Sequence, residues 1–156
     1  EFKMKHLIAL LIFAGVTTLA TAHTLSVPFF ADNAGLMANG GLASGSASFI
    51  GLKNVSSIPI TLDIIYQFAA ETPGGATIRQ TPQKFQLRQY QGISFRPYRD
   101  DPSEGPGRAV PNVLPGGGPF GSVLINWKGG EFGAKTLTGR FVQYQGGDAF
   151  AHAITN

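Results

Sequence analysis

Residues 58–68 read IPITLDIIYQF, and this stretch decides the fold that we predict for the whole chain. Its even-numbered positions are all apolar or aromatic, whereas the odd-numbered positions include Thr61, Asp63 and Gln67. Successive side chains of a strand point to opposite faces, so this pattern predicts a strand with one apolar and one mostly polar face. Such strands are typical of antiparallel sheets. Because the apolar face needs a cover, we expect a second layer and therefore a β-sandwich.

Similar short segments recur along the chain, separated by turn-forming residues. They predict strands over residues 24–30, 45–54, 77–80, 84–88, 92–96, 121–128, 135–145 and 148–154. Eight or nine short strands without helical periodicity after residue 22 favour an all-β, antiparallel, immunoglobulin-like β-sandwich, with a small β-barrel as the alternative. We expect Val55, Ser56 and Ser57 to turn strand 45–54 into strand 58–68 as an antiparallel hairpin. Trp127 shares a face with Val123 and Ile125, which predicts that it lies in the core.

The first 22 residues have the composition of a secretory signal peptide. Residues 4–22, MKHLIALLIFAGVTTLATA, combine a basic start at Lys5 with an apolar run over 7–16 and small residues at Ala20 and Ala22. We therefore predict a signal helix, preceded by a short remnant at residues 1–3, with cleavage before His23. The apolar run is shorter than the roughly 20 residues that span a bilayer, so we expect membrane contact only during export.

The remaining residues, 23–156, are predicted to form a single domain that is secreted and extracellular, or alternatively periplasmic or held at the cell surface. Only 13% of the residues are charged and the formal net charge is +3, with no clustered basic face for nucleic acid. The chain has no cysteine, which excludes disulfides and thiolate chemistry. It contains neither a Gly-x-Ser-x-Gly nor a His-Glu-x-x-His motif. We therefore predict that the protein is not an enzyme and needs no cofactor.

The most unusual segment is the loop over residues 97–121, which holds six of the ten prolines. Opposite charges are concentrated at its start, where arginine forks and carboxylates can pair bidentately and hold the loop in one shape. Two alternatives stay open, namely a calcium site built from the carboxylates and a partner-binding loop that presents the tyrosine and arginines. The residues concerned are Arg96, Tyr98, Arg99, Asp100, Asp101, Glu104 and Arg108.

Cleavage before His23 would give a first residue whose α-amine and ring can chelate copper, and His152 would supply a further imidazole. This pair resembles the histidine brace of lytic polysaccharide monooxygenases and of periplasmic copper carriers, and the resemblance implies copper binding. It covers these two residues alone. It also departs from the Asp-x-His pattern of the carriers, because Asp148 precedes His152 by four residues.

Sparse charge, abundant glycine and a first strand that directly follows the signal favour a secreted, non-catalytic sandwich that acts by protein contact. We predict self-association into an extracellular filament, sheath or surface assembly, with the first strand donated to a neighbouring sheet edge. The residues of this assembly strand are Thr24, Leu25, Val27, Phe29 and Phe30. The alternatives are the copper protein and a carbohydrate-binding or adhesion module. The latter would use the aromatic side chains Tyr66, Tyr90, Tyr98, Tyr144 and Trp127.

Overall fold

The computed structural model of the chain describes residues 22–35, 37, 41–69, 76–100 and 109–154. The described residues form nine strands and one short 3-10 turn, Gly133–Thr136, which confirms the all-β prediction. The strands are β1 (Ala22–Ala31), β2 (Ser46–Asn54), β3 (Ile60–Ala69), β4 (Thr77–Arg79), β5 (Gln83–Leu87), β6 (Gly92–Phe95), β7 (Phe120–Lys128), β8 (Leu137–Gln145) and β9 (Asp148–Ile154). The predicted signal segment lies outside the described residues, except for Ala22. Within the described part of the chain, no helix is long and apolar enough to cross a membrane.

The strands form two antiparallel sheets. Sheet one has the order β1-β7-β3-β4, and β5 also pairs with β3. Sheet two has the order β6-β2-β8-β9. Within the described residues, sheet one therefore ends at β1 on one side and at β4 and β5 on the other, while sheet two ends at β6 and β9.

The central strand of sheet one is β3, the strand predicted from residues 58–68. Its even-numbered side chains lie beside the apolar face of β7, with Leu62 opposite Trp127, Ile64 opposite Ile125, and Tyr66 opposite Val123. All six of these side chains are buried, so the core position of Trp127 and the predicted core face from Ile60 to Phe68 are confirmed. The prediction is wrong for Ile58, which precedes β3 and is 47% exposed.

Buried apolar side chains of both sheets belong to one hydrophobic cluster. Sheet one contributes residues such as Val27 and Ile64, and sheet two contributes Ile50, Phe95 and Phe141. The two sheets therefore share a core, and the burial of that apolar surface is the main term that opposes the loss of chain entropy on folding.

The predicted hairpin between β2 and β3 is wrong, because the two strands lie in different sheets. Both edges of β2 are occupied by β6 and β8. The connecting residues form a hydrogen-bonded bend in which the Asn54 side-chain amide donates to the carbonyl oxygens of Ile58, at 2.7 Å, and Arg88, at 3.0 Å. The Ser56 hydroxyl also donates to Asn54 Oδ1, at 2.7 Å. A short connection after an alternating strand fits a hairpin and a crossing between sheets equally well, so the pattern could not distinguish them.

Strand β1 lies at the edge of sheet one, as Pro28 predicted. It pairs with β7, and the register shifts between Val27 and Phe30, around the proline. Proline lacks the N–H that a ladder requires, so it is tolerated at an edge or in a bulge.

Candidate interaction site

The ends of the two sheets are joined by a buried ion pair between Asp32, which follows β1, and Arg96, which follows β6. Both side chains are fully buried. Arg96 Nε donates to Asp32 Oδ1 at 2.8 Å, and Arg96 Nη2 donates to the same oxygen and to the Ala34 carbonyl. The other carboxylate oxygen accepts the backbone N–H groups of Tyr98, at 2.9 Å, and Arg99, at 3.1 Å. Asp32 therefore fixes the start of the loop predicted over residues 97–121, which ends in the structure where β7 begins, at Phe120.

Arg96 was a candidate from sequence, but its partner was not, since Asp32 lies 64 residues away. Of the other charged loop candidates, Arg99 stacks over the Tyr98 ring, at 5.3 Å, and Asp100 accepts a hydrogen bond from Asn112 at 3.1 Å. Asp101, Glu104 and Arg108 lie outside the described residues. The proposed loop network, calcium site and partner-binding loop thus stay predictions.

The two histidines proposed as copper ligands each pack against an aromatic ring. His23, in β1, lies 5.4 Å from the Trp127 ring, and His152, in β9, lies 5.2 Å from the Phe141 ring, both measured between centroids. Among the described residues, no group of three or more histidine or carboxylate side chains is placed to hold a metal ion. The brace also requires an α-amine at His23, so copper binding stays a prediction.

The residues of the predicted assembly strand lie in β1, and most serve their own chain. Leu25, Val27 and Phe30 are buried in the shared core, and the Thr24 hydroxyl donates to Asn126 Oδ1 at 2.8 Å. Phe29 is exposed. Donation of β1 to a neighbour would therefore require the donor sheet to lose three core side chains, unless a second copy returns the same strand.

Strand β9, at the edge of sheet two, differs from the other edge strands. Six of its seven residues are exposed, and among the described residues it pairs with β8 alone. Natural edge strands are protected from pairing by lysine, proline, bulges or short length. Of the other edge strands, β1 has Pro28 and a register shift, β4 and β6 have three and four residues, and β5 carries Lys84. By contrast, β9 reads DAFAHAI, with no proline and no basic residue other than His152.

Next to β9, the face of sheet two that points away from the shared core contains a groove of about 530 Å³. Phe49, Val142 and Tyr144 form much of its wall, with Arg140 at one side, and the β9 residues Ala149 and Ala151 border it. The Phe49 and Tyr144 rings pack edge to face, 5.7 Å apart. The groove offers apolar contacts and a guanidinium to a bound chain or ligand.

Residues 148–154 are predicted from the sequence as a strand, but not as an exposed edge. The lack of proline and lysine was visible in the sequence, but its position at an edge was not. The tyrosines proposed for sugar contact are dispersed: Tyr66 is buried, Tyr98 is half-buried, and Tyr90 and Tyr144 are exposed. Of these, Tyr144 is the one that lines the groove.

Comparisons of the chain with protein-family models, with curated proteins and with solved structures found no match. Function is therefore inferred from the site itself, because a fold alone does not imply a function.

Proposed function

We propose that this protein is a secreted, non-catalytic, immunoglobulin-like β-sandwich that acts by protein contact and self-associates outside the cell. The sandwich arrangement is supported by the single cluster of buried residues that both antiparallel sheets share. Export is supported by the three-part signal pattern of residues 4–22. The assembly would be a filament, sheath or surface layer, with the periplasm or the cell surface as the alternative location.

The observation that carries this proposal is the unprotected edge of β9. An exposed strand edge presents unpaired backbone N–H and C=O groups that can accept a further strand, with the backbone supplying affinity and the side chains supplying specificity. The adjacent groove, walled by Phe49 and Tyr144, extends the contact surface beyond the backbone. Strand donation from β1 is a second route to assembly. It is opposed by the three buried side chains that the donor sheet would lose.

The test is the mass of the secreted protein in solution, measured by light scattering over a range of concentrations and combined with electron microscopy. We expect the mass to rise above that of one chain. Replacing Ala151 by lysine places a charge on the edge, and we expect it to weaken association by roughly tenfold or more, equivalent to about 1.4 kcal/mol. The matched control is Thr61→Lys, which adds the same charge to an exposed position of β3 in the other sheet. A protein that stays monomeric at high concentration and forms no polymers contradicts the proposal.

The groove supports a second candidate, a carbohydrate-binding or adhesion module. Tyr144 is 41% exposed and Arg140 lines the same groove, so the groove combines an aromatic surface for stacking with a hydrogen-bond donor. Titration with a panel of soluble oligosaccharides tests this candidate, and we expect Tyr144→Ala to abolish any binding. If no sugar binds to the unmodified protein, the candidate is rejected.

A further inference from the structure

The side chains of β9 are arranged symmetrically by size about its central residue, Ala151. Residues 149–153 read AFAHA, so small and large side chains alternate in the same way from either end. The three alanines lie opposite Tyr144, Val142 and Arg140 of β8. Ala149 and Ala151 line the groove. Phe150 and His152 alternate with the alanines and pair with Gln143 and Phe141, and Phe150 also lines the groove.

From this symmetry we infer that two copies of this chain pair along β9, antiparallel, about a two-fold axis through Ala151. The inference rests on the proposed self-association and specifies its partner and register. In this register Ala151 lies opposite Ala151 of the second copy, and Ala149 lies opposite Ala153. Phe150 lies opposite His152 of the second copy, twice by symmetry, so that each large ring meets a ring and each alanine meets an alanine.

Symmetry restricts the possible registers. Paired side chains in an antiparallel ladder lie on the same face. When a two-fold axis relates the two strands, paired residues therefore differ by an even number of positions, and the residue midway between them lies on the axis and pairs with itself. An axis through Ala151 uses all seven residues of the strand. An axis through Phe150 or His152 would pair five residues, and an axis through Ala149 or Ala153 would pair only three. The central register therefore forms the most backbone hydrogen bonds.

Charge favours the same arrangement. Asp148 is the only carboxylate in β9, and in the inferred register it lies opposite Ile154 of the second copy. The two carboxylates then lie about 20 Å apart, six residues at roughly 3.3 Å each, which exceeds the Debye length of about 8 Å in physiological salt. A parallel pairing would instead place Asp148 directly beside its equivalent, and like charges that face each other across a ladder are unfavourable.

Pairing of this kind joins sheet two of one copy to sheet two of the other, which gives one continuous sheet of eight strands. Because paired side chains share a face, both grooves lie on the same side of it. A two-fold contact uses the same surface on both copies and closes after two, so it produces a dimer. Growth into a filament then needs a second contact elsewhere on the chain.

The absence of cysteine from the sequence allows a direct test by single substitutions in the full chain. In Ala151→Cys the two thiols face each other, within reach of a disulfide or a short bismaleimide cross-linker. In Ala149→Cys the equivalent thiols are about 13 Å apart, four residues along the strand at roughly 3.3 Å each, so the same reagents should not join them. Ala149 and Ala151 are both exposed, so neither substitution disturbs the core.

We expect Ala151→Cys at micromolar concentration to form covalent dimers roughly 100-fold faster than Ala149→Cys, because pairing raises the effective thiol concentration toward the millimolar range. A mixture of Ala149→Cys and Ala153→Cys chains, one carrying a mass tag, should give the mixed dimer. If the unmodified protein associates but Ala149→Cys cross-links as fast as Ala151→Cys, or neither does, the inferred register is wrong while self-association stands. If the unmodified protein is monomeric at every concentration and Ala151→Cys does not cross-link, both proposals fail, and β9 is left for a strand from a different protein.

Discussion

Replacing Asp32 by asparagine, which has nearly the same shape, should strongly destabilise this protein. The carboxylate accepts four N–H donations, two from the Arg96 guanidinium and one each from the backbone of Tyr98 and Arg99. Asparagine keeps one accepting oxygen and replaces the other by an NH2 group. That group would face either the guanidinium or the two backbone donors, and in both cases donors point at donors.

The magnitude follows from burial. Both side chains are fully buried, so the guanidinium of Arg96 would lose its countercharge without gaining water. Removal of one partner of a buried ion pair costs about 3–5 kcal/mol. A chain of this size loses roughly 2–4 °C of melting temperature per kcal/mol, so Asp32→Asn should melt about 6–20 °C below the unmodified protein.

The assay is urea unfolding followed by Trp127 fluorescence, together with thermal melting by circular dichroism. The matched control is Asp63→Asn, which breaks the exposed pair between Asp63 and Lys84, whose side chains are 39% and 75% exposed. Exposed pairs contribute about 0–1 kcal/mol, so the control should change stability little.

A double-mutant cycle isolates the pair itself. Arg96→Met removes the guanidinium but keeps an apolar stem, and in its background Asp32→Asn should cost about 0.5–3 kcal/mol less than it does alone. The ion pair does not stabilise the fold as described if Asp32→Asn is no more destabilising than Asp63→Asn, or if the cost of Asp32→Asn is unchanged by Arg96→Met.

Two further predictions concern close backbone contacts and pH. A Cβ atom at Gly121 would lie 2.5 Å from the Gln67 carbonyl oxygen, so Gly121→Ala should lower the free energy of unfolding in urea by about 1–3 kcal/mol. The control Gly118→Ala has open space around its Cβ and should be nearly neutral. Equal effects of the two substitutions would contradict this prediction. The Glu131 carboxylate accepts hydrogen bonds from the backbone and hydroxyl of Ser57, both at 2.9 Å, and these hold its pKa below the ordinary value. The resulting stabilisation is present above the unfolded-state pKa and is lost as pH falls through the folded-state pKa. The difference in urea midpoint between the unmodified protein and Glu131→Gln should therefore shrink on acidification. A difference that stays constant with pH would contradict this assignment.

Strand positions and their buried faces could be predicted from the sequence, because alternation is a local property of the chain. Residues 148–154 were predicted as a strand and form β9 with the same bounds, and residues 121–128 correspond closely to β7. The buried side chains of Val123, Ile125 and Trp127 follow directly from the two-residue period of a strand. Pro28 likewise indicated an edge strand from its missing N–H.

Which strands pair, and which side chains meet across long distances in the sequence, was decided only by the tertiary structure. Residues 45–54 and 58–68 have the pattern of a hairpin, yet they occupy different sheets, because pairing depends on competition among all the strands for the available edges. The same competition leaves β9 exposed on one side and brings Asp32 to Arg96. The sequence by itself determined the all-β class, the strand positions and the apolar faces, since those depend on neighbouring residues. The sheet order, the buried ion pair and the unprotected edge depend on how the whole chain packs, and only the folded structure reveals them.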